Sequence, residues 1–154
     1  MIMIKKKKLY LIIILGIIFI SVFVYQYFFI KKDHIIKCPE LGCDLILPKS
    51  WAGKYIYEKQ KNGAICVYHK LSRLEKEPGR FFCLAKTDDI KSKEELEKSA
   101  SVPEIYLGND SKGTFYLMLV SDVQSQGFFQ YDYDKMFHEI DSITIDIYEK
   151  RNIK

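Results

Sequence analysis

From Leu9 to Ile30 the chain runs for 22 residues without a charge. As a helix this stretch reaches roughly 33 Å, enough for a hydrocarbon core of about 30 Å. A helix is also the one single-segment structure that pairs its own backbone groups in lipid. Ser21 and Gln26 are its clearly polar members. Tyr10 stands at one end, and Tyr25, Tyr27, Phe28 and Phe29 crowd the other, where amphipathic rings suit a membrane–water boundary. The pattern predicts a transmembrane anchor over 9–30. A buried core helix would not be apolar all round and flanked by lysines at both ends.

A cleavable leader has a shorter apolar region followed by small residues at the cleavage site. Here the run ends in VYQYFFIKK, and His34, Ile35, Ile36 and Lys37 precede Cys38 without a small-residue cluster. The reading is an uncleaved signal-anchor. Lys5 to Lys8 and the amino terminus outweigh Lys31 and Lys32, and the more positive flank stays in the cytoplasm. The expected organisation is a cytoplasmic basic stub at 1–8, the anchor at 9–30, a short linker at 31–42, and an extracytoplasmic domain at 43–154. The expected location is the cell membrane, single-pass, with the amino terminus cytoplasmic.

Charge confirms how separate the two parts are. Six of the 24 basic residues and none of the 20 acidic ones precede residue 33, leaving 18 against 20 beyond it. A nucleic-acid-binding domain carries a basic excess on its surface, and this domain has none, so no nucleic-acid partner is expected. The remainder is one domain in size, without a repeat or low-complexity run.

Within it, CDLILP (43–48) reads as a strand ending at Pro48, and KSWAGK as a turn around Trp51. KYIYEKQ (54–60) alternates, with Tyr55 and Tyr57 on one face. Asn62-Gly63 supplies a hairpin turn, and AICVYHK (64–70) returns with Ile65, Val67 and His69 on one face and Cys66 and Tyr68 on the other. Residues 71–80 read as a loop with at most one helical turn, and RFFCLAK (80–86) as a strand. Ser92 can cap a surface helix, with Glu94 and Glu95 in its first turn and Lys98 in its last. EIYLG and TFYLMLV form a second hairpin-like pair. Phe129, Tyr133, Met136, Phe137, Ile140 and Ile143 fall on one helical face, which predicts a C-terminal amphipathic helix laid on a sheet; 144–150 continue as a tail or strand. The fold class is α+β: a small antiparallel β-sheet domain packed by that helix.

LPKSWAGKY, VYHK, RFFCLA, YLG, SDVQ and QYDYDKMFHEI together resemble a family of uncharacterised, membrane-anchored extracytoplasmic domains of low-GC Gram-positive bacteria. In that pattern P-x-S-W-x-G-x-Y opens the domain and S-D-V-Q precedes the last helix. More distantly, the order of elements is similar to a PsbP-like fold. The resemblance covers most of 43–145 and implies no activity and no catalytic set.

Candidate chemistry is sparse. Cys38, Cys43, Cys66 and Cys83 would lie outside the membrane, where thiols can pair. Cys66 with Cys83, and Cys38 with Cys43 across Pro-Glu-Leu-Gly, are possible disulfides; that some or all stay reduced as small apolar residues is the slightly favoured reading. Their spacing does not make a zinc site, and D-Y-D at Asp132 and Asp134, even with Asp122, lacks a calcium-loop pattern. No metal or cofactor is expected. His69 is a weak acid/base or ligand candidate and a structural histidine by preference. Trp51, Tyr55, Tyr57 and Tyr68 could line an aromatic groove for glycan, peptide or lipid, with core packing the favoured account. Asp122 and Gln124, in the loop before the last helix, complete the weak binding set. No nucleophile-elbow, metalloprotease or phosphate-loop motif is present. The expected role is non-enzymatic binding or interaction at the bacterial cell envelope, with a membrane or envelope protein as partner. The alternatives are an envelope enzyme built on His69 and an aspartate, or a structural subunit of an envelope complex.

Overall fold

The computed structural model describes residues 14–22, 24, 34–99, 101–122 and 124–151. Residues 14–22 and 24 are helical and exposed. Ser21 Oγ donates to the carbonyl of Ile17 at 2.7 Å, which satisfies the hydroxyl within the helix itself. The rest of the expected 9–30 anchor falls outside the described residues. Among the described residues no helix is long and apolar enough to cross a membrane, so the expected spanning helix has no observed counterpart.

The domain is α+β, with two antiparallel sheets and several short helices. The first sheet orders β1 (Ile35–Cys38), β2 (Cys43–Ile46) and β8 (Thr144–Ile147) as β1-β2-β8. The second comprises β3 (Tyr55–Lys59), β4 (Ile65–His69), β5 (Arg80–Thr87), β6 (Glu104–Asp110) and β7 (Gly113–Leu119), in the order β3-β4-β5-β7-β6. Helices α1 (Lys70–Leu74), α2 (Lys93–Ser99), α3 (Gln130–Phe137) and α4 (Tyr148–Arg151) connect or follow them.

Two expectations change. The segment 31–42, expected as linker, contributes β1: Ile36 and Cys38 turn inward opposite Leu45 and Cys43, and alternation buries them. The long C-terminal helix stops at Phe137. A 3-10 turn at Ile140–Ser142 follows, and Ile143 is extended. Tyr133, Met136, Ile140 and Ile143 still reach the core, because helix, tight turn and extended chain in succession return them to one side. Of the two readings for 144–150, tail or strand, the strand holds for Thr144–Ile147: it is β8 and pairs with β2.

The core lies between the two sheets and α3. Ile36, Leu45 and Ile147 face Ile65, Val67, Phe82, Leu84, Phe115 and Leu117 across it. A bulge between Val67 and Tyr68 places Tyr68 opposite Arg80 and Val67 opposite Phe82. The extra residue is Phe81, so two consecutive phenylalanines are both buried where strict alternation would expose one. Trp51 meets Phe81 at 4.6 Å between ring centroids, and Phe81 stacks on Tyr133 at 4.7 Å.

Helix α2 closes part of the opposite face. Ser92 and Glu95 cap each other reciprocally, Glu95 accepting from the Ser92 amide at 2.8 Å and Ser92 Oγ from the Glu95 amide at 3.2 Å. The segment before it crosses Thr114, whose hydroxyl donates to the Asp89 carbonyl and accepts from the Lys91 amide. Leu96, in α2 against β6, is buried outside the principal core. Gly113 opens β7 because a Cβ there would stand 1.8 Å from the Thr87 carbonyl oxygen.

Candidate functional site

His69 ends β4 and begins α1. Alternation turns it inward beside Val67, and its ring is fully buried against Phe81 and Tyr133. Nδ1 lies 2.8 Å from Ser72 Oγ, and Nε2 lies 3.2 Å from Asp132 Oδ2. Ser72 Oγ is 2.9 Å from Ser125 Oγ, which in turn donates to Glu77 at 2.7 Å. Lys54 Nζ reaches the other oxygen of Asp132 at 3.0 Å. One continuous chain thus joins the turn before β3, the end of β4, α1 and the residues after it, the loop before α3, and α3 itself. Burial pushes the Asp132 carboxyl up, but Lys54 and His69 outweigh it and hold it below the usual carboxylate range. Asp132 is therefore an acceptor.

The backbone reinforces this latch. Gly79 donates to the Gln124 carbonyl at 2.8 Å and accepts from the His69 amide at 2.6 Å. Its φ of +57° and a Cβ position 2.8 Å from Ser72 Cβ both require glycine. Ser72 is buried beneath it, with its hydroxyl engaged on both sides, so the arrangement holds loops together and does not present a nucleophile.

The second feature is open. On the outer face of the five-stranded sheet, Ala64, Cys66, Cys83, Tyr68 and Met118 floor a concavity of about 480 Å³, rimmed by Gln60, Lys61, Asn62 and Arg80. Cys66 and Cys83 stand directly opposite in the β4–β5 register and form a disulfide. Arg73 lies over the Tyr68 ring, 4.9 Å from its centroid, and donates to Glu58 at 3.2 Å. Burial, and then Glu58, push the Tyr68 phenol up.

The sequence-predicted residues do not converge. Trp51 is wholly buried, with Nε1 donating to Glu139 at 3.1 Å. Tyr55 packs partly against the core, and Tyr57, on the same face, is 54% exposed. Tyr68 shares its face with Ile56 instead, so the four aromatics form no common groove; register places them on opposite sides. Gln124 belongs to the His69 latch through Gly79, and Asp122 sits outside it beside Ser121. Cys38 and Cys43 are free, buried thiols facing each other across the β1–β2 turn. The hydrogen bond between them, donated by Cys43, pushes Cys43 up and pulls Cys38 down. Among the described residues no group of three or more metal-ligating side chains gathers.

Sequence reasoning missed Ser72, Ser125, Glu77 and Lys54 in the latch, and Lys61, Arg80 and Met118 at the open face. His69-x-x-Ser72 at a strand end was a cap signal that could have been read, since His69 caps α1. No family model, curated protein or solved structure matches the chain. The kinship read from P-x-S-W-x-G-x-Y and S-D-V-Q therefore rests on those residues alone.

Proposed function

We propose that this chain is a single-pass, membrane-anchored extracytoplasmic interaction domain of the bacterial cell envelope, without enzymatic activity of its own. The Cys66–Cys83 disulfide carries the reading: cross-strand cystines persist in oxidising compartments and are rare in the cytosol. The uncharged run from Leu9 to Ile30, with four lysines before it, supports an anchor with its carboxyl-terminal side outside. The open outer face of the large sheet, against a closed polar latch inside, favours binding over catalysis. The PsbP-like comparison belongs to the same proposal, supported by the strand that leads to Pro48 and Trp51 and by the helix that follows the sheet.

The test is thiol labelling of intact cells with an impermeant maleimide. Cys66 and Cys83 should take label only after reductant is added, and external protease should remove the domain without lysis. A domain that stays protected until lysis, or that labels at Cys66 without reduction, overturns the assignment.

A further inference from the structure

The outer-face groove has a specific charge pattern. Lys61 and Arg80 are exposed at its rim, and among the described residues neither side chain has an acidic partner. Arg73, beside them, is already committed to Glu58 and the Tyr68 ring. Between the two free cations the accessible apolar surface is that of half-buried Tyr68 and Met118, with Ala64 and the disulfide buried beneath them. Arg80 stands opposite Tyr68, and Lys61 lies in the turn just before Ala64. From Tyr68 to Ala64 along an extended strand is about 13 Å at ~3.3 Å per residue. Backbone positions spaced this way suit two carboxylates about four residues apart on an extended peptide. A concave floor is also unsuited to entering a bilayer.

We infer that the groove over the Cys66–Cys83 disulfide receives an extended acidic segment of a partner protein. Two carboxylates about four residues apart meet Arg80 and Lys61. The side chain midway between them, which points to the same face, is apolar and rests on Tyr68 and Met118. The inference rests on the interaction reading above and names the surface and the ligand chemistry for it. Charge at the rim sets register and partner choice, while the apolar floor supplies contact area.

The test uses the full chain in detergent micelles and a short fluorescein-labelled peptide with two glutamates at i and i+4 and leucine and phenylalanine between. Binding should weaken about tenfold for Arg80→Glu and for Lys61→Glu, and stay unchanged for Lys135→Glu on the exposed side of α3. It should fall as salt rises, and fall when the glutamates are made adjacent or replaced by lysine. Equal binding by all variants, or by the lysine peptide, overturns the inference. So does binding of the chain to vesicles containing phosphatidylserine that the same two variants weaken. In intact membranes, a photocrosslinker at Met118 should capture a protein and lose it with Arg80→Glu. With a second crosslinker placed instead at exposed Tyr131 of α3, capture from Tyr131 alone would overturn the groove and leave the interaction reading standing; capture from neither site would overturn both.

Discussion

The two faces of the five-stranded sheet are built from the same strands by the same alternation, yet they end differently. The inner face, with Ile65, Val67, Phe82, Leu84, Phe115 and Leu117, is sealed by the smaller sheet and α3. The outer face carries Ala64, the disulfide, Tyr68, Tyr116 and Met118. It is covered toward β6 by α2, through Leu96, and stands open toward β3 and β4. Alternation decides which side chains share a face, but long-range chain return decides which face is closed. The inner face carries the core, and the outer face is the one proposed above to receive a partner.

The sharpest way to break this contrast is to truncate one residue on each side. Trp51→Ala removes a fully buried ring from against Phe81 and Phe82, and with it one of two donors to Glu139, the other being Ser50 Oγ. The expected loss is about 3–5 kcal/mol in urea unfolding. Met118→Ala, half-buried on the outer floor, should cost roughly 1 kcal/mol or less. Equal costs would mean that the outer face is as closed as the inner one.

Removing the disulfide comes next. Cys66 and Cys83 are 17 residues apart in sequence, and Cys66→Ser with Cys83→Ser should lower stability. The chain-entropy model puts the loss at about 3 kcal/mol for a loop of this order. Thermal melts followed by circular dichroism, with and without reductant, should show the drop for the native chain and none for the double variant. A native chain indifferent to reductant would remove the outer face's main brace.

The latch sharpens the comparison through pH. Asp132, Asp44 and Asp110 are all held below the usual carboxylate range. In each, burial opposes the shift and a cationic or hydroxyl partner overcomes it: Lys54 and His69, Tyr148 and Arg151, and Lys86 respectively. Groups with depressed values bind fewer protons folded than unfolded. Their stabilisation is thus complete above the unfolded value near ~3.9 and is lost as pH falls through the folded values. The urea midpoint should fall steeply below about pH 4, and Asp132→Asn should flatten that slope. Ser125→Ala, which interrupts the chain between Ser72 and Glu77, should cost about 1–3 kcal/mol at neutral pH. A variant with unchanged stability would show that water replaces the hydroxyl and that the latch is not a unit.

Much of the large sheet was legible from residues alone, because hairpin partners are neighbours in sequence. Tyr55 to His69 carries a turn at Asn62-Gly63 and clean alternation, and the Cys66–Cys83 pairing follows from two strands flanking one loop. The smaller sheet was not legible: β2 pairs with β8 about a hundred positions away, and no local pattern announces that partner. β1 was hidden because Ile35-Ile36 sits among charges that read as linker. The C-terminal helix was overdrawn because i, i+4 spacing continues through Ile143 even though the backbone changes type at Glu139. The latch was illegible for the same reason as the smaller sheet. His69 carried a local cap signal with Ser72, but Ser125 and Asp132 reach it only through the fold, and the bulge that buries Phe81 has no signature in RFFCLA.

The smallest expected effect concerns the aromatic that most resembled a binding residue. Tyr57 is exposed on β3, an edge of the large sheet, on the opposite face from Tyr68 and the groove. If alternation separates the two faces, Tyr57→Ala should change stability by no more than ~0.5 kcal/mol. It should leave peptide binding at the groove unaltered, whereas Tyr68→Ala should weaken that binding with only a modest change in the melt. Fluorescence anisotropy and thermal melts on the same two variants decide the matter. Loss of peptide binding from Tyr57→Ala would place the interaction surface along the sheet edge, because a side chain on the inward-facing row can reach a ligand only around that edge.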